Sequence, residues 1–409
     1  MSSSLFLTRR QFTLASIATA SLTSIGLSSC KPKLKAPFRV GVLLPKSGLE
    51  SQVGQSCIRG ARIAPFILKD MGMDVELIYA DTESSADVGR TKAEQLINEG
   101  AHILVGAYDS GVTLAIAQVC EQKKIPLIVN ISAAPQITEQ GYQYVFRNFL
   151  TSEMLIRNGL NLMKELFTLT GCTPKTAAFF HVNDTYGQAM RTGLDALIPK
   201  LDMPFKIIET ISYDPKTRDL STEIAKVKAS GAELLIPVTR LNDAILMIRE
   251  CVKQRYQPKG IISTGSPGMY ESSFYKTLGK YSDNCITNSA WYNPHSRITQ
   301  RAMEIFTETF PGEMFELNVA FTCEAILIAA DAYKRAGSSD SKSLQQALRQ
   351  TNMEERIVCG GPIQFDEKGQ GLNLQSASLQ NKDGRPIIVL PTAIQQAKPI
   401  LPMVRWEDS

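Results

Sequence analysis

Residues 103–138 lay out a strand, a turn, a helix and a second strand with almost nothing between them. Ile103-Leu104-Val105-Gly106 is an apolar run, and Tyr108-Asp109-Ser110-Gly111 is a short polar turn. Val112, Ala115, Ile116 and Val119 then recur at helical spacing. Ile125-Pro126-Leu127-Ile128-Val129 is the second apolar run, and it empties into Asn130-Ile131-Ser132-Ala133-Ala134. Such a βαβ unit needs a parallel sheet covered by helices. Both loops leave the carboxyl ends of strands, where open α/β sheets place their ligands. Ser110 and Gly111 stand at a helix start, where free N–H groups and the helix dipole favour an anion. One reading is a carboxylate held by backbone amides and the hydroxyls of Ser110 and Ser132. The other is that Ser110 only caps the helix and Ser132 is an ordinary loop residue.

The βα alternation starts twice. It begins at Phe38–Leu44 and runs through a helix over 53–71, a strand over 74–80 and a helix over 86–100 into the unit just described. It begins again at Thr176–Val182 and continues through strands over 205–211, 233–238 and 260–263 with helices between them. Two doubly wound domains follow from this pattern. After residue 297 the chain is mainly helical, and residues 376–390 read as a terminal hairpin around Asn381-Lys382-Asp383-Gly384. The tail from Pro391 is proline-rich and reads as loose.

The chain has 409 residues, long enough for two cores. A net charge of +4 points to neither nucleic acid nor an anionic membrane surface. Thr8-Arg9-Arg10-Gln11-Phe12 resembles a twin-arginine export signal, and Leu27-Ser28-Ser29-Cys30 resembles a lipobox with Cys30 as the lipidated residue. A plain cleaved leader is the alternative. Seven further cysteines are scattered, without the spacing of a disulfide framework or a metal site, and those inside helices (Cys120, Cys251 and Cys323) read as core. No GxSxG elbow, GxGxxG fingerprint or P-loop is present. Asp81, Asp184 and Asp214 end strands and read as loop or cap carboxylates rather than an acid–base pair. The three histidines are far apart. Neither an enzyme nor a cofactor is expected.

Four stretches in order resemble the branched-chain amino-acid binding proteins, the type I periplasmic binding proteins of ABC importers. They are Val40-Gly41-Val42-Leu43-Leu44-Pro45 to Gly60-Ala61, Ser132-Ala133-Ala134-Pro135 to Gly141-Tyr142, His181-Val182-Asn183-Asp184-Thr185-Tyr186-Gly187, and Gly361-Pro362 to Phe365-Asp366-Glu367-Lys368-Gly369. The resemblance implies an α/β fold of two Rossmann-like lobes joined by three crossovers, with a ligand cleft between them. It divides the chain into an export segment (1–30), a tether (31–37), lobe one (38–150 plus 286–365), lobe two (151–285 plus 366–395) and a loose tail (396–409).

The resemblance also implies that Ser110, Ser132 and Ala133 hold a ligand carboxylate while Tyr186 closes from the other lobe. Thr264 stands where the family often has the acid that binds a ligand ammonium, and Arg240 where an aromatic is common. Val53 stands where some members have an aromatic. Asp109 and Glu316 remain candidate ammonium partners. Arg240 either faces the solute or forms a rim pair with Asp243; if it faces the solute, the solute is more anionic or acceptor-rich than leucine. The expected function is solute capture for ABC permease subunits on the outer face of the membrane, with a lipid anchor and no metal. A clamshell sensor reporting to a membrane or cell-wall partner is the alternative.

Overall fold

A computed structural model describes residues 37–407. The export motif and Cys30 lie outside the described residues. Two sheets organise the chain. The first is built from β1 (Phe38–Leu44), β2 (Val75–Asp81), β3 (Ile103–Gly106), β4 (Leu127–Val129) and β5 (Val145–Arg147) in the order β2-β1-β3-β4-β5. All its pairings are parallel. Its central strands are continuous apolar runs because helices cover both faces.

The second sheet holds β6 (Thr176–Val182), β7 (Lys206–Tyr213), β8 (Leu234–Val238), β9 (Gly260–Ser263), β10 (Ile286–Ala290), β11 (Ser376–Lys382) and β12 (Arg385–Leu390). Its order is β12-β11-β10-β9-β8-β6-β7, parallel from β7 to β10 and antiparallel through β11 and β12. The expected terminal hairpin is therefore an edge of this sheet.

Each sheet reverses its strand order once, between β1 and β3 and between β6 and β8. These reversals open crevices at the carboxyl ends of the strands. The chain passes between the sheets after β5, after β10 and before β11. One buried carboxylate gathers two of these passages. Glu324, on the helix Leu317–Ala336, accepts from Asn148 Nδ2 at 2.9 Å, Arg356 Nη2 at 2.9 Å, and the backbone N–H groups of Ile357 at 2.6 Å and Val358 at 3.0 Å.

Three expectations change. β10 pairs with β9 and β11, so residues 286–290 belong to the second sheet rather than to lobe one. Gln370 is bonded to Arg147 of the first sheet at 2.7 Å, so the last passage lies beyond residue 366. The tail is docked rather than loose: Met403 N–H donates to Lys259 O at 2.8 Å, Gln380 Nε2 donates to Ile400 O at 2.8 Å, and Leu401, Met403 and Trp406 are buried. Alternate tail residues fill an apolar surface, and that burial offsets the ordering entropy. Cys120, Cys251 and Cys323 are buried core thiols, as read.

Candidate functional site

The loops at the two reversal points face each other. From the first sheet come Glu50, ahead of the helix Ser51–Asp70, and Tyr108-Asp109-Ser110, ahead of the helix Ser110–Lys123. Asp109 is the cap of that helix and accepts from Val112 N–H at 3.0 Å, so Ser110 is not needed as a cap. Ser110 Oγ accepts only a long 3.4 Å contact from Ala134 N–H, which leaves its proton without an internal acceptor among the described residues. Ser132 Oγ donates to Tyr108 O at 2.8 Å and lies 2.6 Å from Thr113 Oγ1, which donates to Asp109 O at 2.6 Å. Its single proton ties the two loops together.

Below them Arg147, fully buried, donates to Ser132 O at 3.2 Å, Ala134 O at 2.7 Å and Thr138 Oγ1 at 2.7 Å. Burial lowers its pKa to about 9, which still leaves it charged at neutral pH. With these carbonyls held by Arg147, the N–H groups of Ser132 and Ala133 make no hydrogen bond among the described residues. Backbone donors left this way at a strand end suit an anion.

From the second sheet come Asp184, Tyr186 and Arg240. Asp184 caps the helix Thr185–Lys200 through Gly187 N–H at 2.7 Å. Tyr186 donates its hydroxyl to Gly265 O at 2.7 Å. Arg240 is the crossing point. Its Nη2 bonds Asp184 Oδ2 at 2.7 Å and, across the cleft, Asp109 Oδ2 at 3.0 Å. Its Nε bonds Asp184 Oδ2 at 3.1 Å and lies 3.6 Å from Glu50 Oε1. The guanidinium carbon sits 5.7 Å from the Tyr108 ring centroid and 5.2 Å from that of Tyr186. Nη1 makes none of these bonds.

Burial alone would lower the pKa of Arg240, but Asp184, Glu50 and Asp109 more than reverse it, so it stays charged. Glu50 is pushed up to about 7 by burial, against the pull of Arg240. Asp243 does not form the rim pair. It accepts from the Arg240 backbone N–H at 3.1 Å and from the Tyr213 hydroxyl. Asp81 accepts the backbone N–H groups of Glu83 in its own loop and of Lys46 in the loop after β1, and Asp214 accepts that of Lys216 in its own loop.

Ser110, Ser132, Ala133, Tyr186 and Arg240 line one tight cavity of about 30 Å³. In this form it has room for a water or two, so a solute enters only with the lobes apart. Its remaining walls are mostly apolar or aromatic, chiefly Tyr108, Phe149, Leu155 and Tyr270. Asp109 stands behind this lining, bonded to Arg240. Thr264 and Glu316 are not in it. Thr264 is buried against Gly159, and its neighbour Gly265 lines the space instead. Glu316 caps the helix Leu317–Ala336 and is bonded to Asn318. Val53 lines a smaller crevice with Glu50 and Arg240. The sequence reading missed Glu50, Tyr108, Arg147 and Tyr270. Tyr108 lay inside the turn that was singled out, but no periodicity marks the other three.

Two lobes with a lined cavity between opposed strand ends are the architecture of a clamshell binding protein. The chain belongs to the periplasmic binding protein family, whose sequence profile matches residues 37–385. It is similar to a Leu/Ile/Val-binding protein homologue of Brucella melitensis, 24% identical over 371 residues that span 87% of this chain and 93% of that one. Among solved structures it is similar to LivJ of Streptococcus pneumoniae, a branched-chain amino acid transporter substrate-binding protein in complex with isoleucine. The TM-score is 0.75 at 15% identity, over 87% of this chain and 100% of that one. It is also similar to an ABC transporter solute-binding protein of R. palustris in complex with benzoate. There the TM-score is 0.73 at 16% identity, over 89% of this chain and 100% of that one. These likenesses establish the two-lobed α/β fold.

Proposed function

We propose that this chain is the extracytoplasmic receptor of an ABC importer and that it captures a small carboxylate, an amino acid or a related acid, by closing its lobes. The observation that carries the reading is the pairing of unbonded N–H groups at Ser132 and Ala133 with the Arg240 guanidinium, in one cavity walled by aromatic rings. A carboxylate entering there meets donors from both lobes, so its binding free energy favours closure. Ser110 supplies a further hydroxyl proton. Asp109 holds Arg240 in place and is not itself a ligand contact in this reading.

Among the described residues, no carboxylate lines the cavity. An ammonium group would therefore lack a direct ionic partner, and acids without an amine bind at least as well as leucine. Relatives whose structures contain isoleucine and benzoate span both possibilities. The proposed lobes are 38–150 with the segment from 291 to about 371, and 151–290 with the remainder. Export and anchoring through Cys30 complete the reading, and the permease subunits are the partners.

The test is a thermal-shift screen of leucine, isoleucine, glutamate, glutamine, benzoate and 3,4-dihydroxybenzoate. A ligand at 100 times its dissociation constant adds about 2.7 kcal/mol to stability. A flat response to every small acid and amino acid overturns the reading.

A further inference from the structure

Away from the cavity, a second polar contact bridges the lobes. Glu271 follows β9 and stands just ahead of the short helix Ser272–Leu278 of the second lobe, with its side chain making no capping bond. Glu316 and Asn318 open the helix Leu317–Ala336, which packs on the first sheet. Asn318 Nδ2 donates to Glu316 Oε2 at 2.9 Å and to Glu271 Oε1 across the interface. Glu271 is 4% exposed and Glu316 is 1% exposed. Two carboxyl groups thus share one amide in a buried interface.

The donors do not suffice. Glu316 Oε1 and Asn318 Oδ1 are both buried and find no hydrogen-bond partner of good geometry among the described residues. A buried acceptor left this way is costly, and two buried carboxylates near one another are costlier. The surroundings compensate only in part, and burial outweighs them. Among the described residues Arg59 is the cation acting on the pair: its Nη2 is engaged with Ser56 Oγ at 3.0 Å and Glu313 at 3.5 Å, and its buried Nε has no partner of good geometry. Ser56 Oγ and the Val319 N–H also stabilise the Glu316 carboxylate. Cys57 faces the pair from the same helix, Glu50 from ahead of that helix, and Tyr108 from the loop after β3. Tyr270 and Tyr275 face it from the second lobe, and Tyr292 from the passage after β10. Burial holds every one of these hydroxyls and the thiol in the neutral form at neutral pH.

We propose that closing the lobes takes up a proton at the Glu271–Glu316 pair, so that mild acid favours the closed form and alkaline pH opens it. The proposal rests on the reading that the lobes open and close. The proton supplies the missing donor. With the lobes apart both groups meet water and titrate near the ordinary carboxylate value. In the closed form burial raises both, Glu316 to about 7, with mutual repulsion adding to the rise of Glu271. The pair's contribution to closure is therefore complete below the ordinary carboxylate pKa and is lost as pH rises through about 7. Each pH unit separating the open-form and closed-form titrations changes the closure equilibrium tenfold, so the rise at Glu316 corresponds to a fall of about two orders of magnitude between pH 5 and 8.

The experiment is small-angle scattering of the chain without added solute from pH 5 to 8.5, for wild type and for Glu271→Gln/Glu316→Gln. Glu50 is present in both proteins, so its own titration cancels in the comparison. The expected result is a radius of gyration that grows with pH in the wild type and changes much less in the double variant, which stays compact. If the two profiles coincide, sloped or flat, the proposal is overturned. Melting curves check folding. If the double variant does not fold, Glu271→Gln takes its place, because its amide donates where the proton would, and the same comparison decides. This readout needs no solute, so a failed solute screen leaves it standing and a failed scattering result leaves the solute reading standing.

Discussion

Replacing Arg240 by alanine should separate the lobes. The guanidinium makes its strongest contacts within its own lobe, to Asp184, but the bond to Asp109 and the approach to Glu50 cross the cleft. In the closed form the change leaves three carboxyl groups around a vacated charge. Breaking a buried ion pair by removing one partner costs about 3–5 kcal/mol. Asp109 and Asp184 are 23% and 22% exposed, so the lower end applies, about 3 kcal/mol. In the open form water reaches the same carboxylates and the cost largely disappears. Nearly all of the loss therefore falls on closure, and solute affinity should drop by about two decades at roughly 1.4 kcal/mol per decade. Calorimetry with whichever acid the thermal screen identifies reads this directly. Asp109→Asn keeps the helix cap and an acceptor, and should lose less than a decade. Equal affinity in wild type and Arg240→Ala would refute the argument. So would a loss as large in Asp109→Asn, since Arg240 would then not be acting through a set of partners.

Tyr186→Phe removes the donor to Gly265 O and should weaken binding by roughly tenfold, about one hydrogen bond, with the fold intact by circular dichroism. Ser132→Ala frees the carbonyl of Tyr108 and should cost about 1 kcal/mol in urea unfolding, with affinity falling by less than a decade because the backbone N–H remains. Glu324→Ala strips four donors of their acceptor and should destabilise by about 3–5 kcal/mol, whereas Glu324→Gln should cost less, as denaturant midpoints would report. Trp406→Ala should lower the melting temperature clearly, since emptying a buried aromatic site costs about 3–5 kcal/mol; an unchanged melt would return the tail to the loose state expected from its prolines.

Most strands were legible because the sheets are buried on both faces. Leu234–Val238 and Leu127–Val129 are uninterrupted apolar runs bounded by polar loops, and such runs need no partner to be recognised. β10 is different. Its Asn288 and Ser289 are polar, and Asn288 is satisfied only in place, by donating to Ser263 O at 2.9 Å and accepting from Ser378 Oγ. Nothing local says which sheet it joins. The tail failed for a similar reason: Leu401, Met403 and Trp406 alternate with exposed residues, but the surface they fill is made by residues near 257, 281 and 380. That Ser110 and Ser132 come to one cavity was readable because strand-end loops in a βαβ unit have a known destination. The partners of Arg240 were not. Glu50, Asp109 and Asp184 stand at three different strand ends, and each alone looks like a loop or cap carboxylate.

That convergence follows from topology. Each sheet opens a crevice where its strand order reverses, and the two crevices face one another. The loops nearest the reversal, carrying Glu50 and Asp109 on one side and Asp184 and Arg240 on the other, are forced to be the first to meet when the lobes close. A neutral pair of loops would meet without preference. Opposite charge across the gap gives closure a favourable term that exists only when water has been displaced and the local dielectric has fallen. The same loops line the cavity through Tyr108, Ser110 and Arg240, so a solute that leaves the Arg240 contacts undisturbed adds its own binding energy to theirs. One that displaces Asp109 from Arg240 must replace an ionic bond before it gains anything. On the proposed reading, selectivity at this cleft turns on whether a solute engages the Arg240 guanidinium without breaking the bond at Nη2. A benzoate-sized acid that lost affinity in Asp109→Glu, which lengthens the reach toward Nη2 and crowds Nη1, would support that order of contacts; an acid whose affinity rose in the same variant would reverse it.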